Sequence, residues 1–150
     1  PRCQLLKNVI HGKAIEMKLA AAIKAIAYTS EEAREIAQQN NLKPGTAKTV
    51  SQLIQIELDG EEFERIYHGF IPDPESAFYP YNDCGWSLEM DELLRPFENR
   101  AKEVGIMMTP VLIINGEVRH QGSVPSMPNI EQWLSELKKV ENKHENCNAC

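Results

Sequence analysis

No stretch of this 150-residue chain approaches the roughly 20 consecutive apolar residues that span a bilayer. The opening residues show no signal-peptide pattern. Glycine-rich phosphate loops, nucleophile elbows and paired-carboxylate motifs are missing too, so nucleotide cradling and the common hydrolase chemistries have no foothold. Positive charge is in short supply: 16 Lys and Arg face 22 Asp and Glu, for a net charge of -6 and a pI near 5.3. That balance argues against nucleic-acid partners and anionic membrane surfaces. Cysteine is scarce, with four residues. Without a secretory pattern they point to a reducing compartment and a cytoplasmic protein, where thiols are catalytic, metal-bound or simply buried. The hydrophobic fraction, 42%, suffices for one core.

The richest pattern runs from Met107 to Arg119. Pro110 cannot donate to a sheet ladder, so it belongs at the first residue of a strand. Val111 to Ile114 is continuously apolar, as in a strand covered on both faces. Asn115-Gly116 is a strong hairpin signal, since a type I′ turn needs positive φ at both central residues. Glu117 to Gln121 alternates as a return strand and closes at Gly122. A helix follows over Asn129–Val140, with Ile130, Trp133, Leu134 and Leu137 on one face. Before the pattern, Asp91 to Val104 reads as a helix stopped by Gly105.

Helix, Thr-Pro, apolar strand, Asn-Gly, strand, Gly, helix: this order over Asp91 to Lys139 resembles the C-terminal half of a thioredoxin-like domain. The resemblance implies an α/β fold with a central mixed sheet flanked by helices, here with an inserted or duplicated segment. It implies a cis Thr109–Pro110 bond beside the redox cysteines, with Thr109 and Pro110 forming the substrate-binding wall. Pro1-Arg2-Cys3 followed by Leu5, Leu6, Val9, Ile10 and Ala14 on one helical stripe resembles the later part of a Cys-Pro-Arg-Cys motif entering a helix. In such motifs the first cysteine sits at the helix N-terminus, where the dipole and free amides favour a thiolate. By the resemblance Cys3 takes the resolving position, and the nucleophile falls one position before Pro1. If the chain begins at Pro1, the expectation is that Cys147 or Cys150 supplies the partner thiol to Cys3.

Between these ends the chain keeps an α/β rhythm. Ala21 to Tyr28 reads as a strand, although its alanines would also suit a helix. Thr29 or Ser30 caps a helix reaching about Asn40, with Glu31 and Glu32 in its first turn. Lys43-Pro44-Gly45 reads as a turn. Leu53 to Leu58 reads as a strand closed by Asp59-Gly60, with Phe63 to Tyr67 returning. Prolines at 72, 74 and 80 make 71–81 an extended loop. The expected organisation is one domain over 1–140, divisible around that loop into 1–70 and 82–140, and a polar tail over 141–150 ending in Cys-x-x-Cys. Ser30–Gly60 and Asp91–Gly116 echo each other faintly, which is why a duplicated segment is considered.

The cysteines differ in promise. Cys3, at a helix start, is the leading catalytic candidate beside the bland reading of a packed thiol. Cys84 reads as structural. Cys147 and Cys150 form a true Cys-x-x-Cys and serve as a dithiol shuttle, a metal grip or an inert end. Zinc on His144, Cys147 and Cys150, with Cys3 or Cys84 as a fourth ligand, is a weaker reading, because there is no second Cys-x-x-Cys or His pair; no metal or other cofactor is expected. His11, His68 and His120 sit singly among polar residues and read as solvated. A helix-turn-helix over Ser30–Gln55 offers only Lys43 and Lys48 as cations on its second helix, too few for an acidic chain to hold DNA. The function implied is thiol-disulfide exchange with a disulfide-bearing protein or small molecule, driven by a reductase or dithiol reductant. A thioredoxin-like scaffold that binds partners without catalysis is the alternative.

Overall fold

A computed structural model describes residues 1–147, with side chains through residue 141. Its helices are α1 (Arg2–Glu16), α2 (Glu31–Gln39), α3 (Ala47–Ile54), α4 (Gly60–His68), α5 (Leu88–Ala101) and α6 (Met127–Cys147). Its strands are β1 (Lys43–Gly45), β2 (Ile106–Met108), β3 (Val111–Ile114) and β4 (Glu117–Gln121).

The hairpin forms where the sequence places it. Asn115 and Gly116 have φ of 51° and 80°, and Ile114 faces Glu117 across the two-residue turn. A register shift between Leu112 and Ile113 leaves Arg119 without a facing residue, a one-residue bulge that bends the ribbon. Leu112 and Ile114 are buried, while Val111 and Ile113 are partly open. The strand is therefore covered fully on one face and half on the other. Gly105, at φ 77°, ends the α5 segment, and β2 then leads through a cis Thr109–Pro110 peptide into β3.

The architecture is mixed α/β and thioredoxin-like, but among the described residues the sheet is split. β1 and β2 make a parallel two-stranded ladder, and β3 and β4 make an antiparallel one. The chain passes from one ladder to the other at Thr109–Pro110. Lys43-Pro44-Gly45 is thus a strand and not a turn. Proline is tolerated there because this short ladder has an open side. That strand also interrupts the helix-turn-helix reading between α2 and α3.

Other expectations fail for identifiable reasons. Ala21 to Tyr28 forms no strand. Ile23 and Ile26 alone are half-buried in Ala21–Tyr28, a spacing of three that no ladder uses. Leu53 to Leu58 is not a strand either. Thr46 and Thr49 close a reciprocal capping box that starts α3, and the helix runs on until Gln55 turns left-handed at φ 57°. Asp59-Gly60 does not turn a hairpin: the Asp59 carboxylate accepts from the Glu62 amide at 2.9 Å and caps α4, so Phe63 to Tyr67 is helical. The echo between the two segments goes with that lost strand. Finally, 141–147 continues α6 as helix instead of leaving it as a separate tail. Those residues contain neither glycine nor proline to stop it. The side chains of His144 and Cys147, and all of Cys150, lie outside the described residues.

Two apolar clusters hold the elements. One joins Leu5, Leu6, Val9 and Ile10 of α1 to Trp86, Met90, Leu112, Ile114, Ile130 and Leu134. The other joins Ala47 and Val50 of α3 to Leu94, Phe97, Ala101, Ile106 and Met108. Helix α5 lends side chains to both. No described helix is long and apolar enough to cross a membrane.

Candidate functional site

The first turn of α1 faces the cis-proline corner, and Arg2 makes the join. Its Nε lies 2.6 Å from Asp91 Oδ1, Nη1 donates to the Thr109 carbonyl at 3.5 Å, and Nη2 donates to the Gly122 carbonyl. The Arg2 and Asp91 side chains are 10% and 1% exposed, so this ion pair is almost dry. A buried carboxylate must have its lone pairs engaged. Asp91 Oδ2 also accepts from Trp86 Nε1 at 3.2 Å and from the Val124 amide at 3.0 Å. One carboxylate thereby ties together the α1 start, the turn before α5 and the loop after β4.

The two residues on either side of Arg2 differ in setting from it. Cys3 is exposed and free. Pro1 gives its carbonyl to the Leu5 amide at 2.8 Å as the first acceptor of the helix. The Cys84 thiol donates to that same carbonyl at 3.3 Å. Asn8, one turn along the helix from Gln4, holds the Cys84 loop by donating to the Tyr81 carbonyl at 2.9 Å and to Asp83 Oδ1 at 2.7 Å. The Asn82 side chain braces the loop from within, accepting from the Trp86 amide at 3.0 Å and donating to its carbonyl at 2.7 Å.

Thr109 and Pro110 lie at the far end of the Arg2 side chain, joined by a cis peptide. The Thr109 amide is already taken by the Gly45 carbonyl at 3.0 Å, and the Pro110 carbonyl accepts from the Gly122 amide at 2.9 Å. An extended substrate could meet the Thr109 carbonyl, which has a second lone pair, but not a free Thr109 amide. Gly122 sits at φ 93°, and a Cβ there would meet Glu98 Cγ at 2.6 Å. The backbone that offers its carbonyl to Arg2 therefore needs glycine on both counts.

Behind Gly122, Ser123 donates to Glu98 Oε1 at 2.9 Å, and His120 Nε2 lies 2.8 Å from the Ser123 hydroxyl. Since that hydroxyl proton is committed to Glu98, Nε2 is the donor to Ser123. Burial pushes the His120 imidazole below its ordinary value, against the opposing pull of Glu98 and Asp91. His120 is a packed, hydrogen-bonded ring and not the solvated one its neighbours in sequence suggest.

The structure thus links Arg2, the neighbour of Cys3, to the Thr109 carbonyl, and leaves Cys147 and Cys150 outside its described side chains. Sequence reasoning missed Arg2 and Asp91. A signal for Asp91 exists: it lies within the stripe Met90, Leu94, Phe97, where a carboxylate makes sense only with a buried partner. No three His, Cys, Asp or Glu side chains converge as metal ligands among the described residues. Two open clefts, about 490 Å³ beside the end of α3 and about 550 Å³ between Asn40 and Trp133, are lined by no residue of the Cys3 turn. Cys3 is presented on an open surface. A family model described as a thioredoxin domain matches residues 81–135, from the Cys84 loop through the cis-proline hairpin into α6. No curated protein and no solved structure matches the chain.

Proposed function

We propose, from the premise that 81–135 is a thioredoxin-like domain, that this chain carries out thiol-disulfide exchange through Cys3. One observation carries the reading: Arg2 bonds the helix start that displays Cys3 to the carbonyl of the residue before cis-Pro110. Although the resemblance puts Cys3 in the resolving position, it is the exposed thiol here; on losing its proton it attacks one sulfur of a substrate disulfide, forming a mixed disulfide and releasing the other sulfur as a thiol after protonation. A second thiolate then attacks the Cys3 sulfur and frees the remaining half of the substrate. Two electrons pass from the two protein thiols to the substrate, and a dithiol reductant or reductase returns them.

Cys147 and Cys150 are the sequence's candidates for that second thiol. Thr109 and Pro110 shape the wall against which the substrate lies, with the Thr109 carbonyl as its polar contact. The open setting of Cys3 suits a disulfide on a protein surface as well as a small molecule, in a reducing compartment such as the cytoplasm. The acidic chain has no part for nucleic acid or membrane in this chemistry.

Insulin reduction with dithiothreitol as electron donor tests the reading. Turnover above the uncatalysed rate that is abolished in Cys3→Ser, while that variant keeps the wild-type far-ultraviolet spectrum, is the expected result. Activity that survives Cys3→Ser removes Cys3 from the reaction. A wild type with no activity returns the chain to the scaffold reading.

A further inference from the structure

We infer that Arg2, held by Asp91, is a positioning residue that makes this site favour disulfides set in a peptide backbone over small disulfides without hydrogen-bond donors. The inference rests on the exchange chemistry proposed for Cys3. A simpler role for Arg2 would be to compensate the buried Asp91 charge. One donor serves that purpose, and Nε makes that bond at 2.6 Å. The other two ends of the guanidinium are directed elsewhere, Nη1 to the Thr109 carbonyl at 3.5 Å and Nη2 to the Gly122 carbonyl. Thr109 precedes β3 and Gly122 follows β4, so both carbonyls stand at the open end of the hairpin, where Val111 faces Gln121. A planar fork spans a carboxylate and two carbonyls at once; a point-like ammonium does not.

The Thr109 carbonyl depends on this fork. The Thr109 amide is committed to Gly45 at 3.0 Å, which holds the residue from the β1 side. Among the described residues Arg2 Nη1 is the one donor that reaches the carbonyl. A carbonyl oxygen has two lone pairs, and the contact with Arg2 occupies one and leaves the other for a substrate N–H. Arg2 is nearly buried while its chain neighbour Cys3 is exposed. Arg2 therefore acts through Thr109 rather than on the reacting sulfur, fixing where that acceptor stands relative to the helix start that carries the thiol. A substrate half bonded to Cys3 gains from the acceptor only if it brings a backbone N–H beside its own sulfur. Asp91 fixes the fork in turn, with Trp86 Nε1 and the Val124 amide holding its second oxygen.

Arg2→Lys keeps the charge that Asp91 needs and loses the fork. The two probes are insulin, whose disulfides are embedded in backbone, and dithiodipyridine, a neutral disulfide with no hydrogen-bond donor. With dithiothreitol as reductant, Arg2→Lys should raise KM for insulin about tenfold, the size of one lost charge-assisted hydrogen bond, with kcat little changed. Its Cys3 should take up the pyridylthio group of dithiodipyridine at the wild-type rate, read by mass mapping of the labelled peptide over time. An insulin KM that does not move overturns the inference. So does a dithiodipyridine rate that falls along with insulin reduction, since the effect then lies on the thiol or the fold. Both outcomes leave the Cys3 chemistry standing. Asp91→Asn should repeat the pattern at smaller size, and it decides the matter if Arg2→Lys does not fold. A wild type without insulin turnover overturns the reading of Cys3 itself, and this inference with it.

Discussion

At the scale of single residues the site is set by charges that have left water. Asp91 is 1% exposed and accepts from Arg2, Trp86 and Val124, so its negative charge is matched by one cation and two fixed dipoles. Removing one member of such a pair leaves the other buried and uncompensated, which costs about 3–5 kcal/mol. Asp91→Ala should lower the unfolding free energy measured in urea by that amount, and Asp91→Asn by less, since the amide keeps an acceptor for one donor. Equal losses in the two variants would show that volume and not charge matters there. His120 gives a pH signature. Burial holds its imidazole below the ordinary value, Arg95 adds to that, and Glu98 and Asp91 oppose it. The unfolded chain therefore binds its proton at higher pH than the fold does, and stability falls as pH drops through the ordinary imidazole range. The loss is complete below the folded value. His120→Gln, which retains a donor for Ser123, should flatten the stability profile between about pH 7.5 and 5.5; a slope unchanged by the substitution would assign the acid sensitivity to carboxylates instead.

Elements are positioned by contacts that local propensity does not announce. Gly12 lies under the Tyr81 ring, so close that any Cβ would press on it. Tyr81 in turn donates to Glu16, and Lys13 lies over its ring at 5.9 Å while bonding Glu131 of α6 at 3.0 Å. Burial first, and then the bond to Glu16, raise the Tyr81 phenol above its ordinary value. Gly12→Ala should push the ring outward and bring that phenol back toward ordinary titration, read by ultraviolet difference spectra against Tyr81→Phe. An unshifted titration would mean that the ring yields without losing its burial. The same distinction explains what the sequence disclosed. Asn115-Gly116, Gly105 and the Ser30 cap are local commitments, in which a few neighbouring residues satisfy their own backbone groups, and each forms as read. Strands need a partner edge. Lys43–Gly45 gains one from β2 despite its proline, whereas Ala21–Tyr28 gains none despite its alternation. Asp59 shows the remaining ambiguity, because the carboxylate that closes a turn is equally the one that caps a helix.

Across the whole molecule the candidate site is a meeting of distant segments. Cys3 and the Thr109–Pro110 corner could be placed in the sequence through motif resemblance, but the Arg2–Asp91 join could not. It depends on α1 and α5 being driven to the same place by the burial of Leu5, Val9 and Met90, each of them fully inaccessible. Helix α5 also reaches the other way. Leu94, Phe97 and Ala101 lie in the cluster with α3 and β2, and Phe63 of α4 packs against both clusters. A defect in the second cluster should therefore be felt at the site. Phe97→Ala removes a side chain only 4% exposed and should cost about 3–5 kcal/mol. Trp86, seated in the first cluster and bonded to Asp91, supplies the reporter. If α5 couples the clusters, Trp86 fluorescence and far-ultraviolet dichroism should move together to the lower urea midpoint, in a single transition. A Trp86 transition left at its wild-type midpoint while the dichroism falls first would show two separately melting cores, and the site would then owe its geometry to the first cluster alone.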